Sequence, residues 1–272
     1  MAIFETDADK CVGCGACVRD CAFRVLRMDA SCRPVLATPS KCMRCQHCLA
    51  VCPTGAVRLD GKGAEDCVAA DHAELPTPAA VGNWLRLRRS VRQFKDEDVN
   101  PGELDAILHM LGNTPTGCNA RSLTFSCFPN RLSMRKMRES FLEFVARPSL
   151  EPLPHLIAVQ VQRMNTDGDD LFFRGASGML IVSSDTGNPD VTTPREDVTI
   201  ACANFELLAN ASGIATCWCG FLGLAERELP GLVECLAGVP SGRPFAAILF
   251  GVSDVRYPRG VARDDAARIV YC

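Results

Sequence analysis

Two runs of closely spaced cysteines near the start of the chain limit what this segment can fold into. Eight of the nine cysteines before residue 53 fall into two sets, and each member of the second set lies 31 residues after its counterpart. The two sets are Cys11, Cys14, Cys17 and Cys21, and Cys42, Cys45, Cys48 and Cys52. The register continues beyond the cysteines, since VLRMD at 25–29 matches AVRLD at 56–60. The segment is therefore an internal duplication.

The spacing within each run distinguishes disulfide bonding from metal ligation. Disulfide frameworks belong to small exported domains, whereas tight Cys-x-x-Cys runs in a chain without an export signal are typical of metal sites. Structural zinc usually takes two separated Cys-x-x-Cys pairs or mixed cysteine and histidine ligands, so the third cysteine of each run has no role there. The pattern favours iron–sulfur clusters, with zinc as the alternative.

The duplicated C-x2-C-x2-C-x3-C run resembles that of bacterial-type ferredoxins with two 4Fe-4S clusters, over about residues 1–62. In those ferredoxins the fourth cysteine of each run ligates the other cluster. The resemblance implies one cluster held by Cys11, Cys14, Cys17 and Cys52, and another held by Cys21, Cys42, Cys45 and Cys48. Pro53 follows Cys52 as in that family, but Ala22 follows Cys21, so we expect the surroundings of the second cluster to differ.

Composition and charge exclude several classes of protein. Hydrophobic residues make up 47% of the 272 residues, charged residues 22%, and the net charge is −3. These values are not those of a disordered or polybasic chain, and we expect no nucleic-acid partner. No apolar run approaches the roughly 18 residues that a membrane helix needs, and the acidic start MAIFETDADK is unlike a secretory signal. We therefore expect a cytoplasmic protein without a membrane partner.

The sequence changes character after residue 62. The stretch GKGAEDCVAADHAELPTP mixes glycine, proline, alanine and acids without a sustained period, which predicts a linker over 63–80 and a second domain over 81–272. Capping patterns at Asn100-Pro101 and Thr193-Pro194 predict helices, and apolar runs at 179–182 and 245–250 are typical of buried strands. The expected fold is an N-terminal ferredoxin-like two-cluster domain followed by an α+β domain.

Three segments of the second domain carry chemistry beyond packing. In LRLRRSVRQF at 85–94, three guanidiniums and a hydroxyl within five positions can bind a phosphate, although a solvated basic helix end is the alternative. In TPTGCNAR at 114–121, small residues allow close approach to a flat ligand, or form an ordinary turn. In IATCWCGF at 214–221, a strand end runs into a glycine loop, or forms a core strand with a buried tryptophan.

The order and spacing of these segments resemble the nitroreductase family of FMN proteins over roughly residues 81–272, together with EDVTIACANFELLANASGIATCWCG and PFAAILFGVSDVRYPRGVARD. The resemblance implies a phosphate site formed by Arg88, Arg89, Ser90 and Arg92, joined by Arg259 or Arg263. It implies a ring-binding loop formed by Pro115, Thr116, Gly117, Cys118 and Asn119, and a backbone N–H near flavin N5 from Trp218, Cys219 or Gly220. It also implies a homodimer in which both subunits build each flavin site.

One departure from the family pattern lies beside the ring-binding loop. Family members often continue this loop with Gln-Pro-Trp, whereas here Arg121, Ser122 and Leu123 follow. A cation near the flavin stabilises an anionic reduced ring, so Arg121 is a candidate for that role unless it turns outward to solvent.

The fusion of the two resemblances implies an oxidoreductase. We expect electrons to pass from a low-potential donor such as ferredoxin through two 4Fe-4S clusters to FMN, and on to a nitroaromatic, quinone or activated alkene. NAD(P)H is the less favoured donor, since no G-x-G-x-x-G motif follows a predicted strand. The alternative is an electron carrier or redox sensor without an organic substrate. No catalytic residue can be named, and Cys118, Cys217 and Cys219 are either redox-active or small buried residues.

Overall fold

A computed structural model describes residues 1–166, 168, 170–185, 187–263 and 267–272, the side chain of His72 excepted. The chain divides into two compact units: unit 1 comprises Met1–Pro76 and Cys118–Ala120, and unit 2 comprises Thr77–Gly117 and Arg121–Cys272. The main division, between Pro76 and Thr77, falls inside the segment that the sequence marks as a linker.

Unit 1 repeats one small motif twice. Its strands are β1 (Phe4–Thr6), β2 (Leu26–Met28), β3 (Pro34–Leu36) and β4 (Val57–Leu59), and its helices are α1 (Ala16–Arg19) and α2 (His47–Ala50). The helices lie 31 residues apart, as do β2 and β4, so the sequence repeat is also a structural repeat. Strand β1 pairs antiparallel with β4, and β2 pairs antiparallel with β3. The first strand of the unit therefore pairs with the last, which holds the two copies together.

Unit 2 is organised around one antiparallel sheet. Its strands are β5 (Leu123–Phe128), β6 (Gly178–Ser184), β7 (Ala215–Trp218) and β8 (Phe245–Gly251), in the order β5-β6-β8-β7. Every residue of β6 is buried, which requires cover on both faces of the sheet. A methyl group at Gly178 would overlap the ring of Phe250 on the neighbouring strand, so the start of β6 can accept only glycine.

Helices cover both faces of this sheet. They are α3 (Pro78–Leu87), α4 (Pro101–Met110), α5 (Arg131–Val145), α6 (His155–Thr166), α7 (Pro194–Ala211), α8 (Gly220–Glu228) and α9 (Leu232–Ala237). Alternate residues of β6 enter different cores: Met179 packs with residues of α5 and α8, whereas Leu180 packs with residues of α4 and α7. This arrangement confirms the predicted α+β class for the second half of the chain.

The sequence signals for α4, α7 and the strands have different outcomes. Asn100 caps α4 as predicted, because its side chain accepts from the N–H groups of Gly102 and Glu103. Thr193 does not cap α7 in that way; its hydroxyl donates to Asp197 at 3.0 Å. The alternating stretch beginning at Leu123 forms β5 as predicted.

None of the helices in the described ranges combines the length and apolar character that crossing a membrane requires.

Candidate cofactor sites

Two cavities in unit 1 are each bordered by four cysteines. One cavity is bordered by Cys11, Cys14, Cys17 and Cys52. The other is bordered by Cys21, Cys42, Cys45 and Cys48. Each cavity thus has three cysteines from one copy of the repeat and one from the other, which is the grouping that the ferredoxin resemblance implies. Within the described residues, no group of three or more histidine, cysteine or acidic side chains is arranged around a single metal ion.

Left-handed backbone conformations curl both cysteine loops. In the first copy they fall on glycines, with φ +67° at Gly13 and +66° at Gly15. In the second copy they fall on Arg44, with φ +54°, and Gln46, with φ +63°. Residues other than glycine adopt this region at a cost of about 1 kcal/mol or more. The second copy therefore keeps the loop shape at the expense of strain that the first copy avoids.

The thiols of each set act on one another. Burial, together with the neighbouring Cys45 and Cys42, raises the pKa of Cys48 to about 12. Burial also raises the pKa of Cys17, with Cys52 adding to the effect. Four thiolates cannot converge in this way without a compensating positive charge, which iron supplies. The donor set therefore fits an iron–sulfur cluster.

One thiol is stabilised as a thiolate by its surroundings. Burial alone would raise the pKa of Cys52, but hydrogen bonds from Thr54 and from the backbone N–H of Ala56 hold that pKa below its ordinary value. The Ala56 nitrogen lies 3.3 Å from the Cys52 sulfur. Donors of this kind tune the potential of a cluster, because they stabilise its negative charge.

A third cavity opens in unit 2 where β7 leads into α8. It is bordered by Ser90, Arg92, Phe172, Arg174, Cys217, Trp218, Cys219, Gly220, Phe221, Leu224 and Leu249. Four separate segments meet here: the predicted arginine segment, the segment before β6, the junction of β7 with α8, and strand β8. A few polar side chains and many aromatic and aliphatic ones border the cavity, which is the usual character of a cofactor site.

The cavity brings together only part of the predicted flavin site. The predicted residues on its border are Ser90, Arg92, Trp218, Cys219 and Gly220. Sequence reasoning missed Arg174, together with the apolar residues Phe172, Phe221, Leu224 and Leu249. The segment FFRGA around Arg174 carries a single cation between an aromatic pair and a glycine, directly before a buried strand. This combination of residues is the sequence signal that could have identified Arg174.

The sequence offers Trp218, Cys219 or Gly220 as the source of a backbone N–H near the flavin, and the structure reduces this choice. The N–H of Cys219 is already used, since it donates to the carbonyl of Ala247 at 2.8 Å. Gly220 begins α8 rather than a glycine loop, and the first N–H groups of a helix have no acceptor within it. A methyl group at Gly220 would meet no atom within 4 Å, so the space beside it is open. Gly220 is therefore a backbone donor available at the border of the cavity.

Two of the predicted phosphate ligands are engaged elsewhere. The Arg88 guanidinium lies 3.1 Å from the carboxylate of Glu206, which is only 6% exposed. Glu206 also accepts a hydrogen bond from the hydroxyl of Thr216. Arg89 donates to the carbonyls of Arg86 and Leu87 at the end of α3. Neither Arg88 nor Arg89 borders the cavity.

The predicted ring-binding loop does not border the cavity either. Pro115, Thr116 and Gly117 belong to unit 2, where the Gly117 N–H donates to buried Asp197 at 2.9 Å. Cys118 and Asn119 belong to unit 1, where the Asn119 amide donates to a backbone carbonyl at 2.9 Å. Pro115, Thr116 and Gly117, the part of this loop that belongs to unit 2, are not among the described residues that border the cavity.

The remaining arginines predicted near the flavin also lie elsewhere. Arg121 is exposed, and its guanidinium donates to the carbonyl of Gly112 at 3.4 Å. Arg259 and Arg263 are exposed in the segment after β8, and neither is among the described residues that border the cavity.

The surroundings of the two cavity cysteines favour the protonated thiol over the thiolate. Burial raises the pKa of Cys219 to about 12 and also raises the pKa of Cys217. The Cys219 thiol donates to the carbonyl of Phe172 at 3.4 Å. Only a thiolate is a good nucleophile, so these two residues act as small buried side chains at neutral pH. Cys118 is exposed and does not border the cavity.

Comparisons with known proteins agree with the two kinds of site. Residues 85–252 match the model of the nitroreductase family, and residues 10–56 match that of the 4Fe-4S dicluster domain. The fold is similar to that of a nitroreductase with bound FMN from Desulfitobacterium hafniense, at 25% identity and a TM-score of 0.52, covering 70% of this chain and 97% of that chain.

Curated relatives match the N-terminal segment. An uncharacterized ferredoxin from Methanocaldococcus jannaschii is 38% identical over 56 residues, which is 20% of this chain and 89% of that ferredoxin. The archaeal-type glutamate synthase (NADPH) of Thermotoga maritima is 38% identical over 57 residues, which is 21% of this chain. The chain spans only 11% of the length of that synthase. The family match covers more than half of the chain, so the protein belongs to the nitroreductase family, as an FMN oxidoreductase with an N-terminal 4Fe-4S ferredoxin domain.

Proposed function

We propose that the protein passes electrons from a low-potential donor such as ferredoxin through two 4Fe-4S clusters to FMN, and from there to a nitroaromatic, quinone or activated alkene. The observation that carries this proposal is the presence, on one chain, of two cysteine-bordered cavities and a cavity edged by serine and arginine. Iron–sulfur clusters supply electrons singly and FMN, when bound, delivers them in pairs to an organic acceptor.

The cysteine-bordered cavities support the assignment of the metal ligands. We infer that Cys11, Cys14, Cys17 and Cys52 hold one cluster, and that Cys21, Cys42, Cys45 and Cys48 hold the other. The Ala56 N–H donates to the Cys52 sulfur, and the left-handed residues curl both cysteine loops. Apolar residues such as Leu26 and Leu59 also border the second cavity.

The third cavity supports the assignment of the FMN site. Ser90 and Arg92 offer a hydroxyl and a guanidinium to the phosphate, which are strong donors to an anion. Phe172 and Trp218 offer a flat apolar wall to the isoalloxazine ring. Gly220 begins α8, so its N–H and the positive end of the helix dipole would favour electron density on a flavin ring bound beside them.

We further propose a homodimer in which residues 115–119 of one copy complete the flavin site of the other. Pro115, Thr116 and Gly117, which belong to the same unit as the cavity, do not border it, although the family resemblance assigns them to the ring. Unit 2 also exposes large apolar side chains on two helices, which an interface would cover. They are Val81, Leu85 and Leu87 on α3, and Ile200 and Leu207 on α7.

The proposed electron path is tested by removing one cluster ligand. We expect the Cys14→Ala protein, purified without oxygen, to keep FMN that light can reduce but to lose FMN reduction by reduced ferredoxin. Intact protein should contain about eight iron and eight sulfide per chain, from two clusters of four. The control is Cys67→Ala, because Cys67 is exposed and belongs to neither cysteine set.

Stopped-flow flavin absorbance under anaerobic conditions provides the readout, followed by a panel of nitroaromatic, quinone and enone acceptors. Reduction of FMN at an unchanged rate in Cys14→Ala would exclude the cluster relay. A protein that is reduced by ferredoxin but reoxidised by none of the acceptors would instead be an electron carrier.

A further inference from the structure

The family resemblance assigns Asn119 to the flavin ring, but its side chain is used within unit 1. The Asn119 amide nitrogen donates to the carbonyls of Met43, at 2.9 Å, and Arg44, at 3.2 Å. Asn119 belongs to the same compact unit as these two residues and is half-buried there. Both carbonyls lie on the second cysteine loop (residues 42–48), which carries three of the ligands proposed for the second cluster.

The two accepting carbonyls fix the orientation of two consecutive peptide groups. Both peptides are trans, so the C=O and the N–H of each point in opposite directions. The N–H groups of Arg44 and Cys45 share peptides with these carbonyls and therefore point away from the Asn119 amide. Neither N–H donates to an acceptor in the part of the chain that the structure describes. Cys45 borders the second cavity, so backbone donors are available to an anionic ligand there.

The second cysteine loop takes this shape with backbone strain that the first copy avoids. Arg44 has φ +54°, whereas the matching residue of the first copy is Gly13, with φ +67°. Left-handed conformations of residues other than glycine are unfavourable and are retained where the surroundings over-determine them. The described first copy has no matching contact, because Arg19 donates there to the carbonyl of Cys14, one residue further on. The amide contact thus accompanies the copy that carries the strain.

The shape of the second cysteine loop suits a negatively charged cluster. Successive backbone N–H groups around left-handed residues form concavities that bind anions, iron–sulfur clusters among them. Arg44 and Gln46 supply the left-handed residues here. Hydrogen bonds to the sulfurs of a cluster set its potential. The orientation of these peptides therefore bears on how firmly a cluster is held and at what potential it accepts an electron.

We propose that Asn119 is a positioning residue of the second cluster: its amide holds the Met43 and Arg44 carbonyls, so that the N–H groups of the same peptides face the cluster. This inference rests on the proposed function only in placing a 4Fe-4S cluster in the second cavity. The Asn119 side chain is thereby committed to unit 1, and only the backbone of this residue remains for the flavin site of the proposed homodimer.

The test removes the amide donor in two ways. Asn119→Asp keeps the size of the side chain, whereas Asn119→Gly removes it without adding a charge. Both residues tolerate the left-handed backbone at this position, where φ is +53°. In full-length protein purified without oxygen, we expect about half of the iron to be released to a chelator about 5- to 10-fold faster, as the loss of a hydrogen bond predicts. The other half should leave at the wild-type rate.

The reduction potential provides a readout that a purely structural role would not move. Potentiometric titration followed by electron paramagnetic resonance should show two reduction steps in the wild-type protein. We expect Asn119→Gly to make one step more negative by about 40 mV, which is a fivefold change for a one-electron couple. The other step should stay where it is, because the contact reaches only one cysteine loop.

A second substitution tests the link to the left-handed backbone. Arg44→Gly, added to Asn119→Gly, should slow iron release again by about fivefold, because glycine adopts this conformation without a side-chain clash. Asn113→Asp is the matched control, since the Asn113 amide also donates to a backbone carbonyl, that of Met110 at 3.1 Å, but within unit 2. It should change neither iron release nor either potential.

Unchanged iron release and potentials in both Asn119 variants overturn the inference. Loss of FMN with iron held as in the wild-type protein also overturns it, because Asn119 would then serve the flavin. Equal acceleration of all the iron, or no rescue by Arg44→Gly, has the same consequence. A variant that is purified with half of the iron and with its FMN supports the inference, since it has lost one cluster alone.

The wild-type protein separates this inference from the proposed function. About eight iron per chain and two reduction steps support the two clusters without reference to Asn119. A wild-type protein with iron for one cluster or none overturns the proposed electron path together with the role of Asn119.

Discussion

The two units of this protein obtain their stability in different ways. Unit 1 buries a small cluster of side chains, led by Leu26, Leu49, Val57 and Leu59, with strands of three residues and helices of four. Unit 2 buries two apolar layers on either side of a four-stranded sheet. A segment as small as unit 1 cannot build a sufficient core, so metal ligation has to supply what apolar burial lacks. Unit 2 has a core of its own and can hold its cofactor at one edge.

Removal of iron should have the largest effect on the difference in stability between the two units. We expect anaerobic treatment with acid and a chelator to unfold unit 1 and to leave unit 2 folded, because metal binding in such domains is also folding free energy. Limited proteolysis with mass spectrometry should show new cleavage within residues 1–62 and none within the sheet of unit 2. Removal of FMN alone is the control and should create no new protease cleavage in either unit. Protection of residues 1–62 after iron removal would show that the apolar cluster is sufficient.

The next largest effect is expected from the buried ion pair of unit 2. Glu206→Ala leaves the Arg88 guanidinium without its partner and deprives Thr216 of an acceptor, which should cost about 3 kcal/mol. Thermal unfolding should show a loss of roughly 5–10 °C in the transition of unit 2. Glu228→Ala removes an exposed pair with Arg227 and should change stability by less than about 0.5 kcal/mol. Equal effects of the two variants would show that the Arg88 pair does not stabilise unit 2.

The smallest effect is expected where the two copies of unit 1 differ. Gly15→Ala places a side chain on a left-handed backbone and should destabilise the first loop by about 1–2 kcal/mol. Gln46→Gly relieves the same strain at the matching position and should stabilise the second loop by about 1 kcal/mol. The rate of iron release to a chelator should rise in the first variant and fall in the second.

A glycine of unit 2 serves as the control for this pair. Gly112→Ala has open space and no positive φ, so it should leave iron release unchanged. Iron release that changes in the same direction for Gly15→Ala and Gln46→Gly would contradict the account of loop strain.

The sequence predicts well those features that depend on short-range spacing. The 31-residue repeat of the sequence recurs in the structure as the matching helices α1 and α2, and the cap at Asn100 locates the start of α4. Alternation beginning at Leu123 identifies β5, because the side-chain period of a strand is two residues. These signals act between residues that are near neighbours in the chain, so a single sequence reveals them.

Features that depend on distant partners escape the sequence. The direction of Arg88 is set by Glu206, which lies 118 residues away and looks like any other helix position. The Cys219 N–H donates to the carbonyl of Ala247 on a neighbouring strand, so Cys219 has no backbone N–H left for a ligand. Arg174 borders the cavity together with Ser90, which lies 84 residues earlier in the chain. Each outcome follows from a tertiary contact, which residue spacing does not encode.

The exchange of one cysteine between the two copies has a consequence for how the chain is made. The first cavity lacks its last cysteine until Cys52 has been added, whereas the second has all four of its cysteines once Cys48 has been added. Both sets of four cysteines are therefore completed within four residues of chain growth, after both copies of the cysteine run have been synthesised. A nascent chain that ends within the first copy of the repeat holds neither complete set of four cysteines. The order of the residues therefore disfavours the loading of one cluster alone during translation.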